Sequence, residues 1–222
     1  MPRIDNARRG VILVLVVVAG LSLSIVGPWS TAIGPFQVVA ASSPDDESIE
    51  AGFARDMSIH HAQAVEMSFI ILERGTDSAV RLLATDILST QQHQIGQMYA
   101  WLDLWDLPQA SFSPAMAWMG HPVDGPMPGM ATRDEVHHLA SLSGLDADRE
   151  FLRLMIRHHQ GGAPMADAAL VRTDEPHVTR LASAIVTSQT AEVRAMEAML
   201  ANLGGASLAT PTARQSMVLG LG

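Results

Sequence analysis

The chain has 222 residues, 48% of them hydrophobic, and a formal charge of −9. A core of ordinary size is affordable, and the acidic balance excludes nucleic acid as a partner, because that needs a basic footprint. With no cysteine, disulfides, thiolate zinc sites and iron–sulfur clusters are excluded, so nine histidines and 13 methionines are the soft or borderline metal ligands that remain.

The first segment, 1–41, reads as export machinery. Arg3, Arg8 and Arg9 precede an apolar run from Val11 to Val26, and Val38-Val39-Ala40-Ala41 offers small residues for cleavage. At 16 residues the run falls short of the roughly 20 of a spanning helix, so a cleaved signal peptide and a retained membrane anchor both fit. Either puts the body of the protein outside the cytoplasmic membrane, with residues 11–26 its only membrane contact.

A helix is expected from about Asp45 to Arg74, stopped by Gly75, and a second from a Thr76-Asp77 cap to about Trp105, stopped by Pro108. Together they form a hairpin within 42–105. Residues 106–145 change character: they carry five prolines and Met116, Met119, Met127 and Met130 around His121, with one short helix near Arg133–Leu142. From 146 to 203 a second hairpin follows, its helices running to about Arg172 and, after Asp174-Glu175-Pro176, to about Leu203. Gly161-Gly162 with Pro164 is expected to loosen or kink its first helix. The tail, 204–222, is rich in small residues.

The two hairpins are copies. Phe53, Met57, His60, His61 and Met67 recur 98 residues later as Phe151, Met155, His158, His159 and Met165, and Gln91, Ile95 and Met98 recur as Gln189, Val193 and Met196. About 16 of roughly 50 paired positions are identical without a gap, which identifies an internal duplication. At about 100° per residue, Met57, His60 and Met67 share one stripe, with His61 at its margin, and Met155, His158, Met165 and His159 repeat the arrangement. On the partner helices Gln91, Gln94 and Met98 share a side, as do Gln189, Glu192 and Met196. His93 lies opposite, and His93, His137, His138 and His177 are expected at the surface.

The expected architecture is an all-α four-helix bundle, the two hairpins joined by a linker of about 40 residues. In it the stripes of the first and third long helices would approach each other in the interior, flanked by Met98 and Met196. Thioether sulfur selects copper(I) and imidazole suits copper, zinc and nickel, so copper, preferably copper(I), is the expected ligand, with another transition metal the alternative. Met57, His60, His61, Met67, Met98, Met155, His158, His159, Met165 and Met196 are the candidate ligands, with Met127 and Met130 added from the linker. A methionine at helical spacing is most often core filler; recurrence of the same types at the same positions is what points to metal. Glu50 and Asp148, also 98 apart, sit at helix starts, where acids are commonly capping or dipole partners.

The pattern acid-x-x-Phe-x-x-x-Met-x-x-His-His, followed by Gln-x-x-[Glu/Gln]-[Ile/Val]-x-x-Met, resembles the bacterial domain of unknown function 305 (DUF305) family. Both copies carry it, starting at Glu50 and Asp148, and Met127-Pro128-Gly129-Met130-Ala131-Thr132 is also similar to that family. The resemblance spans about residues 45–203. It implies an exported, ferritin-like bundle, with some members binding copper in copper tolerance. Gln94 departs from it, standing where an acid is frequent.

Three functions compete. The first is a non-enzymatic copper-binding and buffering protein. The second is a ferritin-like metal-dependent oxidase; a di-iron site wants Glu-x-x-His motifs on bundle helices, and the long helices have none. The third is a metal-free surface interaction module.

Overall fold

A computed structural model describes residues 43–206. The expected signal peptide or anchor, and the tail apart from its first residues, lie outside that range. The described residues form five α-helices: α1 (Ile49–Arg74), α2 (Ser78–Leu104), α3 (Arg133–Ser141), α4 (Gly144–Leu170) and α5 (Pro176–Ala206). A short 3-10 turn at Ala117–Met119 interrupts the linker. The protein is thus an all-α bundle, as the periodicity implies.

The helix ends follow local chemistry. Ser48 caps α1 by accepting from the Ala51 N–H, and Asp77 caps α2 by accepting from Ala79 and Val80. Pro176 opens α5 at a position where a missing N–H costs nothing. In α3, Thr132 and Glu135 form a reciprocal capping box. α4 continues as helix through Gly161, Gly162 and Pro164.

α1 packs on α2 and α4 on α5, while α1 and α4 face each other at the centre and α2 and α5 barely touch. The acids at the two helix starts act as clips between hairpins. Asp148, at the start of α4, accepts from the N–H groups of Thr76 and Asp77 at 3.1 and 2.9 Å, holding the turn before α2. Glu50, at the start of α1, accepts from the Thr173 hydroxyl in the turn before α5. Each hairpin therefore begins against the other's turn, the arrangement of an antiparallel pair related by a pseudo-two-fold axis.

The core is divided in two. One apolar cluster holds Met67, Phe151, Met155 and Met196; the other holds Phe53, Met57, Met98 and Met165. The 98-residue offset exchanges one set for the other. Burying each phenylalanine side chain contributes about 2–3 kcal/mol, so both ends of the bundle are anchored alike.

Candidate metal centre

Between the two clusters every long helix carries polar residues. α1 supplies His60 and His61, α2 Gln91 and Gln94, α4 His158 and His159, and α5 Gln189 and Glu192. All of these except Glu192, which keeps partial exposure, are buried. A buried polar layer in an apolar bundle is costly unless each group finds a partner.

Half of each imidazole does. His60 Nε2 donates to the Pro128 carbonyl at 3.1 Å, and His158 Nε2 donates to the His60 carbonyl at 2.9 Å. His61 Nε2 meets Gln94 Oε1 at 2.7 Å, and His159 Nε2 meets Glu192 Oε2 at 2.6 Å. A carbonyl or carboxylate oxygen only accepts, so each ring carries a proton on Nε2, and a neutral ring then keeps its lone pair on Nδ1. All four Nδ1 atoms are buried without a partner. Leaving such an acceptor unsatisfied costs about 1–3 kcal/mol each, and four in one layer call for a ligand.

Burial favours the neutral form of His60, His61 and His158. Burial pushes His60 down to about 4, against the raising effect of the Pro128 bond, and pushes His61 down to about 3, with His60 adding to the shift. His158 lies well below the ordinary histidine value for the same reason, with its histidine neighbours contributing. The His60 and His158 rings lie against each other, centroids 3.8 Å apart. Two imidazoliums could not share that contact, whereas two neutral rings with free Nδ1 atoms are in the form that ligates a soft metal.

The stripes of α1 and α4 thus meet as expected, through His60 and His158. His61, placed by its helical angle at the margin, is as fully buried as His60, because Gln94 on α2 closes over it. The candidate methionines divide: Met57, Met98, Met165 and Met127 line one side of the layer, with Met130 packed against them, and Met67, Met155 and Met196 line the other. Among the described residues no three His, Asp or Glu side chains converge as a ligand group.

The linker is no free tail. Met116 and Met127 are buried in the Phe53 cluster. Asp56 accepts from the Met116 N–H at 2.7 Å and from the Trp118 indole at 2.8 Å, and Gln63 exchanges two hydrogen bonds with Ala131. Gly129, at φ +82°, lies so close to α4 that a Cβ would sit 2.5 Å from the Arg157 carbonyl oxygen. His93, His137, His138 and His177 are exposed, as expected, and so is His121.

Spacing alone missed the Pro128 carbonyl and the spare capacity of Gln91 and Gln189. Gln91 Oε1 and both polar atoms of Gln189 are buried without partners. Recurrence of the two glutamines at the repeat offset was the available signal.

Fold and site together define a duplicated helical bundle with a histidine–glutamine layer set between methionine clusters. The family model described as Domain of unknown function (DUF305) matches residues 50–200, and the chain belongs to that family. A DUF305 protein of Streptomyces coelicolor, thought to be secreted, is 48% identical, with TM-score 0.70 over 72% of this chain and 96% of that one. A DUF305 fragment from Deinococcus radiodurans is 41% identical, with TM-score 0.60 over 69% and 96%. The protein CopM, solved in its Cu(II)-bound form, is 29% identical, with TM-score 0.57 over 70% and 97%; it has also been solved with Cu(I) and with silver. No curated protein matches the chain.

Proposed function

We propose that this protein binds copper outside the cytoplasm and buffers it, serving copper tolerance without catalysis. The observation that carries this reading is the set of four buried imidazoles, each with Nε2–H held by an acceptor and Nδ1 left without a partner. Copper is the cargo. His60, His61, His158 and His159 would offer Nδ1 donors, and Met57, Met67, Met98, Met155, Met165 and Met196, with Met127 and Met130 from the linker, would offer thioethers. Such a donor set favours copper(I). The copper- and silver-bound forms of CopM support the metal, and the Streptomyces relative supports export, as do residues 1–41 of this chain.

The oxidase reading has less to stand on. The layer contains one carboxylate, Glu192, where a di-iron bundle uses four or more. None of the described helices is long and apolar enough to cross a membrane.

The test is anaerobic titration of the purified protein with copper(I) against a competing chelator. Uptake of one or more equivalents, sharply weakened in the His60→Ala, His158→Ala double variant, is the expected result. Uptake no stronger than that of a weak competitor, or unchanged in the double variant, would sink the proposal.

A further inference from the structure

Three features of the layer gather on the His159 half. His61 is backed by the neutral amide of Gln94, whereas its counterpart His159 is backed by the carboxylate of Glu192. A carboxylate on the far ring nitrogen raises the donor strength of Nδ1 and offsets the charge of a bound cation, which an amide does weakly. Fully buried Ala64 in α1 corresponds to Gly162 in α4. A Cβ on Gly162 would lie 2.7 Å from Gln189 Oε1 and 3.0 Å from His60 Cε1, so the glycine makes room for the unpartnered Gln189 amide. Finally, a cleft of about 320 Å³ between α4 and α5, lined by His159, Gln189, Arg194 and Glu197, opens onto this half of the layer.

We propose that the two halves load in order: the cation enters through the α4–α5 cleft and is taken first at His159, with Glu192 as the positioning residue that makes this half the tighter one. This rests on the copper-binding reading. Glu192 does not ligate; it holds the His159 proton on Nε2 and strengthens Nδ1, while the half built on His61 and Gln94 fills second.

Anaerobic copper(I) titration of the protein with nitrogen-15 labelled histidines reads both order and affinity. The His159 Nδ1 signal should move before that of His61. Glu192→Gln should weaken the tighter class by about 10- to 100-fold, the usual effect of losing such a backing group. Gln94→Glu should tighten the weaker class, a gain that loss of structure cannot produce, and exchanging the two residues should reverse the order. Simultaneous loading, His61 loading first, or an order untouched by the exchange would overturn the proposal while leaving copper binding intact. No uptake by the unaltered protein would overturn both.

Discussion

Gly161→Ala should dismantle the support of His60 without touching any histidine. A Cβ at position 161 would lie 2.0 Å from the Pro128 carbonyl oxygen, 2.4 Å from its carbon and 2.7 Å from Gly129 Cα. Ordinary contact begins near 3.4 Å, so the carbonyl has to retreat by roughly 1.4 Å. The loop has little freedom to slide, because it runs so close to α4 that even a Cβ on Gly129 would meet the Arg157 and His158 carbonyl oxygens at 2.5 and 3.0 Å, and Ala131 is tied to Gln63. Pro128 then leaves His60 Nε2 without its acceptor. That orphaned donor costs about 1–3 kcal/mol and overpacking a similar amount, while the helix preference of alanine returns about 1 kcal/mol. A net loss of about 3 kcal/mol corresponds to a fall of roughly 6–12 °C in Tm for a domain of this size. Gly96→Ala is the matched control: in α2 it meets nothing within 4 Å, and it should gain about 0.5–1 kcal/mol. Thermal denaturation of the metal-free protein measures both, and the ring-nitrogen spectrum of His60 reports its tautomer. If Gly161→Ala stabilises as Gly96→Ala does, the loop is not seated on α4 and the account of His60 fails.

Stability of the metal-free protein should decline in acid. His60 and His61 sit near 4 and 3 when folded against an ordinary 6.5, so below about 6.5 the unfolded chain binds more protons. Their contribution is complete above that pH and is lost as it falls toward the folded values, at up to about 1.4 kcal/mol per pH unit for each ring; chemical denaturation from pH 7 to 5 that shows no loss would contradict the burial argument. Asp148→Ala should cost about 2–3 kcal/mol, since two backbone N–H groups lose their acceptor. Glu50→Ala, which releases one hydroxyl, should cost about 1 kcal/mol, and urea midpoints in the opposite order would refute the clip assignment. Arg157 grips Glu135 through two bonds of 2.7 Å, yet both are partly exposed. Arg157→Met should therefore cost no more than about 1 kcal/mol, and less still in high salt.

Much of this was legible in the sequence because duplication repeats what matters. The 98-residue register paired His60 with His158 and Met57 with Met155, and helical spacing set each group on an inward stripe. The division of the core into two clusters with a polar layer between them also follows from that register once α1 and α4 are antiparallel. Three features had no such signal. Met116 and Met127 belong to the Met-rich linker; their burial depends on Asp56 and Gln63 receiving the linker backbone, a contact between residues some 60 positions apart. His61 lay at the stripe margin because one helix considered alone has a margin, whereas α2 supplies Gln94 to cover it. Pro164 lies inside α4, which continues as helix through it, with Gly161 and Gly162 preceding it in the same turn.

A duplicated chain cannot be symmetric where its single linker lands. If the pseudo-two-fold held throughout, His158 Nε2 would bond the His60 carbonyl and His60 Nε2 would bond the His158 carbonyl. The first bond is present at 2.9 Å. In place of the second, His60 bonds Pro128, and the linker occupies the approach: a Cβ on Gly129 would lie 3.0 Å from the His158 carbonyl oxygen. Off the axis the constraint differs. His61 and His159 each take their acceptor from their own hairpin, 33 residues on, so one partner can change without disturbing the other. Gln94 and Glu192 occupy those two places. Residues at the axis serve both halves at once, and a substitution there alters both; residues one helix away serve a single half. On the proposed copper-binding reading, unequal metal sites should therefore be tuned at 94 and 192, and coupled through His60, His158 and the Pro128–Gly129 strap.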